Sequence, residues 1–589
     1  MATFNLIRNS RVFFTTNVAS GTGLVNATGF TAANTQELNV LDGFTFTQAT
    51  NADTVTISEA GTTPSRGQRS FNTSLNPVDF SFSTYIKPAS QDTVRAEESH
   101  LWNALLGTVA LTDTGSLVTF TGTLAATISS ATSTTPAKLT LSATTISVSG
   151  LAADDYVQIK GAIGAGANEL NCAYKVESVA AGSIVLVFLT PPVTVTGTVT
   201  TNFPTTSGVF SIGKYSWYGN PAISADNSGT AGVNSVMANG SSGSPVSYAE
   251  ISTFKSNANQ LLSFGMLIVV DNITYAIDNA ALDQASIDFG LDGIATVAWT
   301  GKATGLRQFA TSMTFTTQAT ASGTISGTFS CSTSTTPTTV TFGTAQTLPA
   351  GTVLRYNGDI IGVLASAVSS ATTGTLSANA TRTLTTVTGV YAYTPTVIAG
   401  GVLGSTTVTG NVAAKFPSSN YITNKLSTAT LVSGISGNAS TSYTIALTGG
   451  NIQIANNINY ITPANLGVIN TPIGYYTGTR AISGTLNAYL RTGSNSTSAL
   501  LSALLANASS VAGIEPKYRL AIQIGGISNL TRVEFLANGA MLQIPTIDAQ
   551  AVLSTVINFN IEGFEGVTAA NANFDLEAVN DMRLRYFSS

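Results

Sequence analysis

The side chains in this sequence that could do chemistry are few, and their spacing is wrong for it. The chain carries one histidine, His100. A Ser-His-Asp triad would have to use it, but His100 sits beside Trp102 on the polar side of a helix-like segment. No Gly-x-Ser-x-Gly elbow is there to present a serine. Glu97/Glu98 and Asp154/Asp155 are sequence neighbours, and adjacent carboxyls do not flank one bond from two sides as glycoside hydrolysis requires. One histidine and two separated cysteines, Cys172 and Cys331, form neither a zinc cluster nor a disulfide framework. Gly161-Ala162-Ile163-Gly164-Ala165-Gly166 has the glycines of a phosphate loop without the Lys–Ser/Thr pair or the helix that must follow, so it reads as a hairpin loop. The expectation is a protein that is not an enzyme, with no cofactor and no metal.

The composition suits assembly better than catalysis. Charged residues make up 9% of the 589 positions, against about 25% in ordinary soluble proteins. Hydrophobic residues reach 43%, too many for a disordered chain. Thr, Ser, Ala, Gly and Asn fill the gap, giving hydroxyl-decorated strands. A surface with few charges has little to desolvate when copies pack together. The net charge of −5 gives no basic field for nucleic-acid binding. Met1–Arg8 has no basic segment followed by an apolar run, so no secretory leader is expected. No run approaches ~18 apolar residues, so no membrane span is expected.

The elements that would carry any site occur twice. Thr35–Ile86 runs from a strand through a long polar stretch into a second strand. In that second strand Phe80, Phe82, Thr84 and Ile86 share one face. A helix is predicted over Arg95–Gly107, with Glu97 and Glu98 in its first turn and Leu101/Leu105 and Trp102/Leu106 on one stripe. Strands follow at Phe264–Val270, Tyr275–Ile277, Ala285–Phe289 and Ile294–Trp299. The order recurs later: Thr444–Leu490, a helix from Ser496 or Thr497 carrying Leu500/Leu504 and Leu501/Leu505, then Tyr518–Ile524, Val533–Leu536, Met541–Ile544 and Val552–Ile561. The class is mainly β with a flanking helix in each half (α+β).

Two segments interrupt this order. Gly122–Thr201 and Thr320–Val412 are rich in Thr, Ser and Val and nearly free of charge. They share a tract, Ala131-Thr132-Ser133-Thr134-Thr135-Pro136 against Ser332-Thr333-Ser334-Thr335-Thr336-Pro337. Each reads as a small inserted β-sandwich or barrel.

A run of short matches carries a resemblance. It includes Asn34-Thr35-Gln36-Glu37-Leu38, Ile57-Ser58-Glu59-Ala60-Gly61, Phe71-Asn72-Thr73-Ser74-Leu75-Asn76, Ala298-Trp299-Thr300-Gly301, Asn456-Asn457-Ile458-Asn459-Tyr460 and Ile544-Pro545-Thr546-Ile547. Collinear over most of both halves, these make the chain resemble the tail tube proteins of long-tailed siphophages related to coliphage T-five. The resemblance implies two tail-tube β-sandwich domains, residues 1–121 with 202–319 and residues 413–589. The inserted modules would be 122–201 and 320–412. The inserts, and the lack of an immunoglobulin-like domain near Ser589, depart from that family.

The resemblance further implies homotrimeric rings of pseudo-sixfold symmetry, stacked into a hollow virion tube. Partners would be further copies and other tail proteins: tape measure, tail terminator, and baseplate or tip proteins. Genomic DNA would pass through the lumen unbound. The polar stretches Gln48–Ser70 and Asn456–Arg480 would reach the next ring or subunit, with Glu59, Arg66, Arg69, Ile473, Tyr475 and Tyr476 in contact. Acids would face the lumen and repel phosphate, the candidates being Asp42, Asp53, Asp278, Asp283, Asp288, Asp292 and Asp548. A virion adhesin that binds carbohydrate through its inserts is the alternative, and a capsid or sheath protein a third reading.

Overall fold

In the computed structural model of the chain, the alternating segment Phe80–Ile86 lies at the end of a 21-residue strand, and its four inward residues are buried. The described residues run from Ser10 to Phe587, less 42, 64, 91–93, 107–110, 113–116, 131–136, 148–152, 154–155, 161–169, 171–172, 189–195, 204–208, 216–235, 239–244, 255–260, 271–272, 310–311, 333–337, 357–358, 381–382, 401–406, 414, 416–420, 434–441, 467, 509–516, 526–530, 549–552 and 562–579. The fold is mainly β.

The first half is built from β1 (Ser10–Thr15), β2 (Thr31–Leu38), β3 (Thr45–Glu59), β4 (Ser65–Tyr85), α1 (Ser99–Leu106), β5 (Phe264–Val270), β6 (Ile273–Gly290) and β7 (Thr296–Gln308). The second is built from β8 (Thr428–Ser433), β9 (Ser442–Ala455), β10 (Ala481–Tyr489), α2 (Thr497–Ala508), β11 (Lys517–Ile524), β12 (Arg532–Leu542), β13 (Thr546–Asp548), β14 (Ser554–Ile561) and β15 (Asn580–Phe587).

Both halves follow one pairing circuit. In the first, β1 pairs β2 and β5, β5 pairs β6, β6 pairs β7, β7 pairs β4 and β4 pairs β3. In the second, β8 pairs β9 and β11, β11 pairs β12, β12 pairs β14, β14 pairs β10 and β10 pairs β9. The long β9 does the work of β2 and β3 together. Even the bulge is repeated, between Phe264 and Met266 in one half and between Tyr518 and Leu520 in the other. In each half the helix comes after the strand, β4 or β10, that pairs β7 or β14. Packing has been conserved by exchange: Phe80 lies opposite Gly301, and Gly484 lies opposite Phe559. In each pair the ring occupies the space where a Cβ on the glycine would stand. Gly484→Ala is therefore expected to overpack the core and cost about 1–3 kcal/mol, read as a lowered denaturation midpoint.

The halves share one apolar core, in which Trp102, Trp299, Leu500, Leu520 and Phe559 are all buried. Trp102 and Trp299 meet edge to face with centroids 4.7 Å apart.

Several expectations change. The helix begins at Ser99, so Glu97 and Glu98 precede it instead of forming its first turn. Glu98 O accepts the Leu101 and Trp102 amides at 2.9 and 3.2 Å. Gln48–Ser70 is no structureless loop: β3 and β4 form one long hairpin paired from Thr45↔Ser81 to Glu59↔Ser65, with the register shifting between Gln48 and Thr50 and between Asn51 and Ala52. Within Asn456–Arg480 a small hairpin pairs Asn459–Ile461 with Gly474–Tyr476. Val533–Leu536 and Met541 belong to the single strand β12. The strand β15 had no counterpart in the sequence reading. It pairs β12 and also Pro245–Phe254.

The Thr-rich segment 122–201 lies inside a wider sheet whose strands run from Leu111–Thr112 to Val209–Tyr215. Its core holds Leu139, Leu186 and Tyr174. In 320–412 a four-stranded sheet joins the main body through Val353–Tyr356, Val390–Gly400, Ser312–Thr324 and Thr407–Ala413, the last running parallel to β2. The matching Ser-Thr-Thr-Pro tracts fall outside the described residues, but each connects an antiparallel pair.

Candidate functional site

The two circuits are joined edge to edge. β6 pairs β7 from Tyr275↔Gln308 to Asp288↔Thr296 and pairs β9 from Gln284↔Ala455 to Gly290↔Gly449. One continuous sheet results, in the order β3-β4-β7-β6-β9-β10-β14-β13. One face of it is the core. The other is polar, because side chains alternate across every strand. Following the register across that face gives Ser83–Ala298–Ser286–Gln453–Ser483–Asn560, then Tyr85–Thr296–Asp288–Asn451–Thr485–Asn558. None of these is buried. Thr485 donates its amide and hydroxyl to the Asn451 side-chain oxygen at 3.1 and 3.0 Å. The face is a plane of amides and hydroxyls with sparse charge. Its described charges are Asp288, Asp79 and Lys302, the last two a cross-strand pair. Partial burial pushes the Asp288 carboxyl up from its ordinary range.

The predicted acids do not share this face. Asp288 stands on it, and Asp548 occupies the matching position in the second half, since Asp288 lies opposite Thr296 as Asp548 lies opposite Ser554. Asp278 is buried and paired to Arg307 at 2.5 Å, and it accepts the Val25 amide at 2.8 Å. It holds the bulge of β6 together. Asp283 accepts the Ile458 amide at 2.7 Å and pins the second hairpin. Asp53 is exposed on the β3–β4 hairpin and Asp292 in the turn after β6. Asp42 lies outside the described residues. Asp79 was missed, although its alternation with Phe80 and Phe82 was the available signal.

The contact residues divide too. Glu59, Arg66 and Arg69 are exposed near the end of the β3–β4 hairpin, where Arg66 faces Ser58 and Arg69 faces Val55. Ile473 and Tyr476 are exposed. Tyr475 is an internal anchor: its hydroxyl donates to Leu261 O at 3.1 Å and its ring lies 5.5 Å from Tyr460. The second predicted reach touches β4 just beyond the end of the first, with Leu75 N donating to Asn470 O at 2.8 Å and Asn470 N to Thr73 O at 3.2 Å. The sequence reading missed the exposed apolar side chains Leu466, Val468 and Ile469, just before Asn470, and Val55 and Phe71 on the β3–β4 hairpin. Three such side chains within four residues mark an interaction surface.

A buried carboxyl cluster lies behind α1. Tyr586 of β15 donates to Glu98 at 2.5 Å, and the Trp102 indole donates to Tyr586 Oη at 2.8 Å. Burial pushes Glu98 up to about 8 from 4.5. Burial also raises Glu97 to about 7 against the opposing pull of Lys87, which is 3.0 Å away, and of Lys415. The folded protein thus keeps these protons to higher pH than the unfolded chain does. Their contribution to stability is whole below about 4.5 and is lost as pH rises through about 7 and 8. Thermal unfolding followed against pH should show Tm falling over that window, and Glu98→Gln should flatten its upper part. An equal slope in the variant would contradict the assignment.

Among the described residues no group of His, Cys, Asp and Glu could hold a metal ion. No described helix is long and apolar enough to cross a membrane. Cys331 is buried, and Cys172 lies outside the described residues. His100 stacks on Phe14 with centroids 5.7 Å apart.

No family model matches the chain. A solved structure of the anti-feeding prophage baseplate, 6-fold symmetrised, aligns with 27% of this chain and 91% of that one at 11% identity. Its TM-score of 0.19 is too low to carry weight. Sequence similarity is more specific. Over 103 residues the chain is 38% identical to tail tube protein pb6 of Escherichia phage T5, a stretch that makes up 17% of this chain and 20% of that protein. The chain therefore matches about one fifth of the length of this curated relative, and the relationship to a phage tail tube protein is a partial one.

Proposed function

We propose that this chain is a structural protein of a phage tail tube. Three copies, each carrying two equivalent sandwiches, close a pseudo-sixfold ring, and rings stack into a tube that conducts DNA. The observation that carries this reading is the repeated pairing circuit, joined across β6 and β9 into one sheet with an amide and hydroxyl face. Turned inward, that face suits a conduit. A face whose one described cation, Lys302, stands opposite Asp79 offers phosphates little counterion-release gain, so DNA slides without sticking. The partial similarity to tail tube protein pb6 points the same way. The partners are further copies and other tail proteins, such as tape measure, terminator and tip components, and the site of action is the virion.

The β3–β4 hairpin and the apolar residues around Asn470 serve stacking between rings. Reversing charge at Arg66 and Arg69 is expected to leave rings intact and shorten or abolish tubes, as seen in negative-stain micrographs. Unchanged tubes would remove these arginines from the contact. Purified protein at high concentration tests the reading as a whole: annuli or hollow filaments are expected, and a small oligomer without a pore would overturn it. An adhesin would stay such a small oligomer.

A further inference from the structure

The two inserted segments carry the same sandwich. In chain order the first has the strands Leu117–Thr121, Ala125–Ser129, Lys138–Ser142, Tyr156–Lys160, Ala173–Ala180, Ser183–Phe188, Gly197–Thr198 and Val209–Tyr215. The second has Ser312–Thr324, Phe329–Cys331, Thr339–Leu348, Val353–Tyr356, Asp359–Val363, Val368–Thr375, Leu384–Val387 and Val390–Gly400. In both, the third strand pairs the second and the sixth, and the second pairs the seventh. In both, the fourth pairs the fifth and the eighth, and the eighth pairs the first. A Thr-rich composition makes strands but does not choose which of them pair. The tract shared by the two sequences links the second strand to the third. The third and fifth residues after its proline are core in each copy: Leu139 and Leu141, Val340 and Phe342. The copies differ in detail. The first adds Thr145–Ser147 beside its first strand, and its fifth and sixth strands pair along their length, where the second has the bridge Leu364↔Leu376.

The insertion points do not match: the first copy follows α1, and the second lies between the halves. The placements nevertheless correspond. The β1–β5 sheet sends Val12, Phe14, Met266 and Ile268 into the shared core. On its other side Phe13, Leu267 and Val269 are buried with Phe309 and Val412, which flank the second copy. Val353, Val363 and Tyr393 of that copy pack with Ala32 of β2 and with Ala413. The second copy thus covers the outer sheet of the first half, on the side of the core away from the polar face. The chain leaving the first copy runs through Pro245–Phe254, which pairs β15 from Tyr248↔Phe587 to Phe254↔Asn580. β15 pairs β12, and β12 pairs β11, so this strand extends the outer sheet of the second half.

We infer that residues 111–215 and 312–400 are two copies of one display module, one carried by the outer sheet of each half, so that a ring of three chains presents six of them to the outside. The count of six rests on the ring reading; the duplication and the outward placement do not. The inserts are then exterior parts that follow the pseudo-symmetry of the body and take no part in the pore.

Deletions test this, because the ends of each copy are already paired. Thr112 lies opposite Lys214, and Thr317 lies opposite Thr396. An Asn-Gly turn in place of residues 113–213, or of 318–395, therefore closes a hairpin. Averaged micrographs of wild-type annuli should show six outer projections, and each deletion three, with the pore unchanged. Three projections in wild type would overturn the placement of one copy on each half, and this count stands by itself should a deletion fail to fold. Folded deletion variants that no longer form annuli, where wild type does, would overturn the exterior role. A density map of the wild-type particle tests the duplication with or without rings: a different strand order in either copy overturns it. Particles without a pore in wild type would overturn the ring reading and the count of six, while the map still decides the duplication.

Discussion

Trp102→Ala should cost the chain ~3–5 kcal/mol, the range for removing a fully buried tryptophan. In thermal unfolding this corresponds to a fall in Tm of roughly 2–4 °C for a body of this size. The effect is expected to be large because Trp102 ties three parts of the chain together. Its ring packs edge to face on Trp299 of β7. Its N–H donates to Tyr586 of the last strand, which in turn donates to Glu98. Removing the indole opens a cavity and also leaves two buried polar groups short of a partner. Trp102→Phe should recover much of the packing and none of the hydrogen bond. If Trp102→Ala unfolds within a degree or so of wild type, the shared core is not what holds the halves together.

Lysine at Gln453, Ser483 and Asn560 should convert a conduit into a trap. These positions lie side by side across β9, β10 and β14 on the polar face. Each copy would then present three cations in a row where wild type has none. Assembled tubes of the variant should retain linear DNA in co-sedimentation, with log K falling by ~0.9 per log unit of salt for each phosphate neutralised. Wild-type tubes should retain none. A variant that forms tubes and binds no more DNA than wild type would show that this face does not line the pore. The prediction replaces the expectation of an acidic lumen. Of the acids named from sequence, Asp288 stands on the face and Asp548 at its matching position, while Asp278 and Asp283 serve the fold.

The polar reaches were harder to read than the strands. Gln48–Ser70 lacks an apolar face because both faces of that hairpin are exposed, so the period-two signal that marks a half-buried strand is missing. Backbone pairing with β4 makes it a strand all the same. Leu466, Val468 and Ile469 were legible as apolar residues, but exposure is not written in residue type.

What the sequence determined by itself is the recurrence: strand, polar reach, strand, helix and strands, stated twice. Those signals are local, an alternation of two residues or a spacing of four, and they survive without knowledge of neighbours. Only the tertiary structure decided which strands meet. Glu98 and Tyr586 bond across 488 positions, and β6 finds β9 far along the chain. Strand order, open edges and the partner of each buried charge depend on such long-range pairings. A hydrogen bond between distant strands is made by backbone groups common to every residue, so side-chain types leave no mark of it.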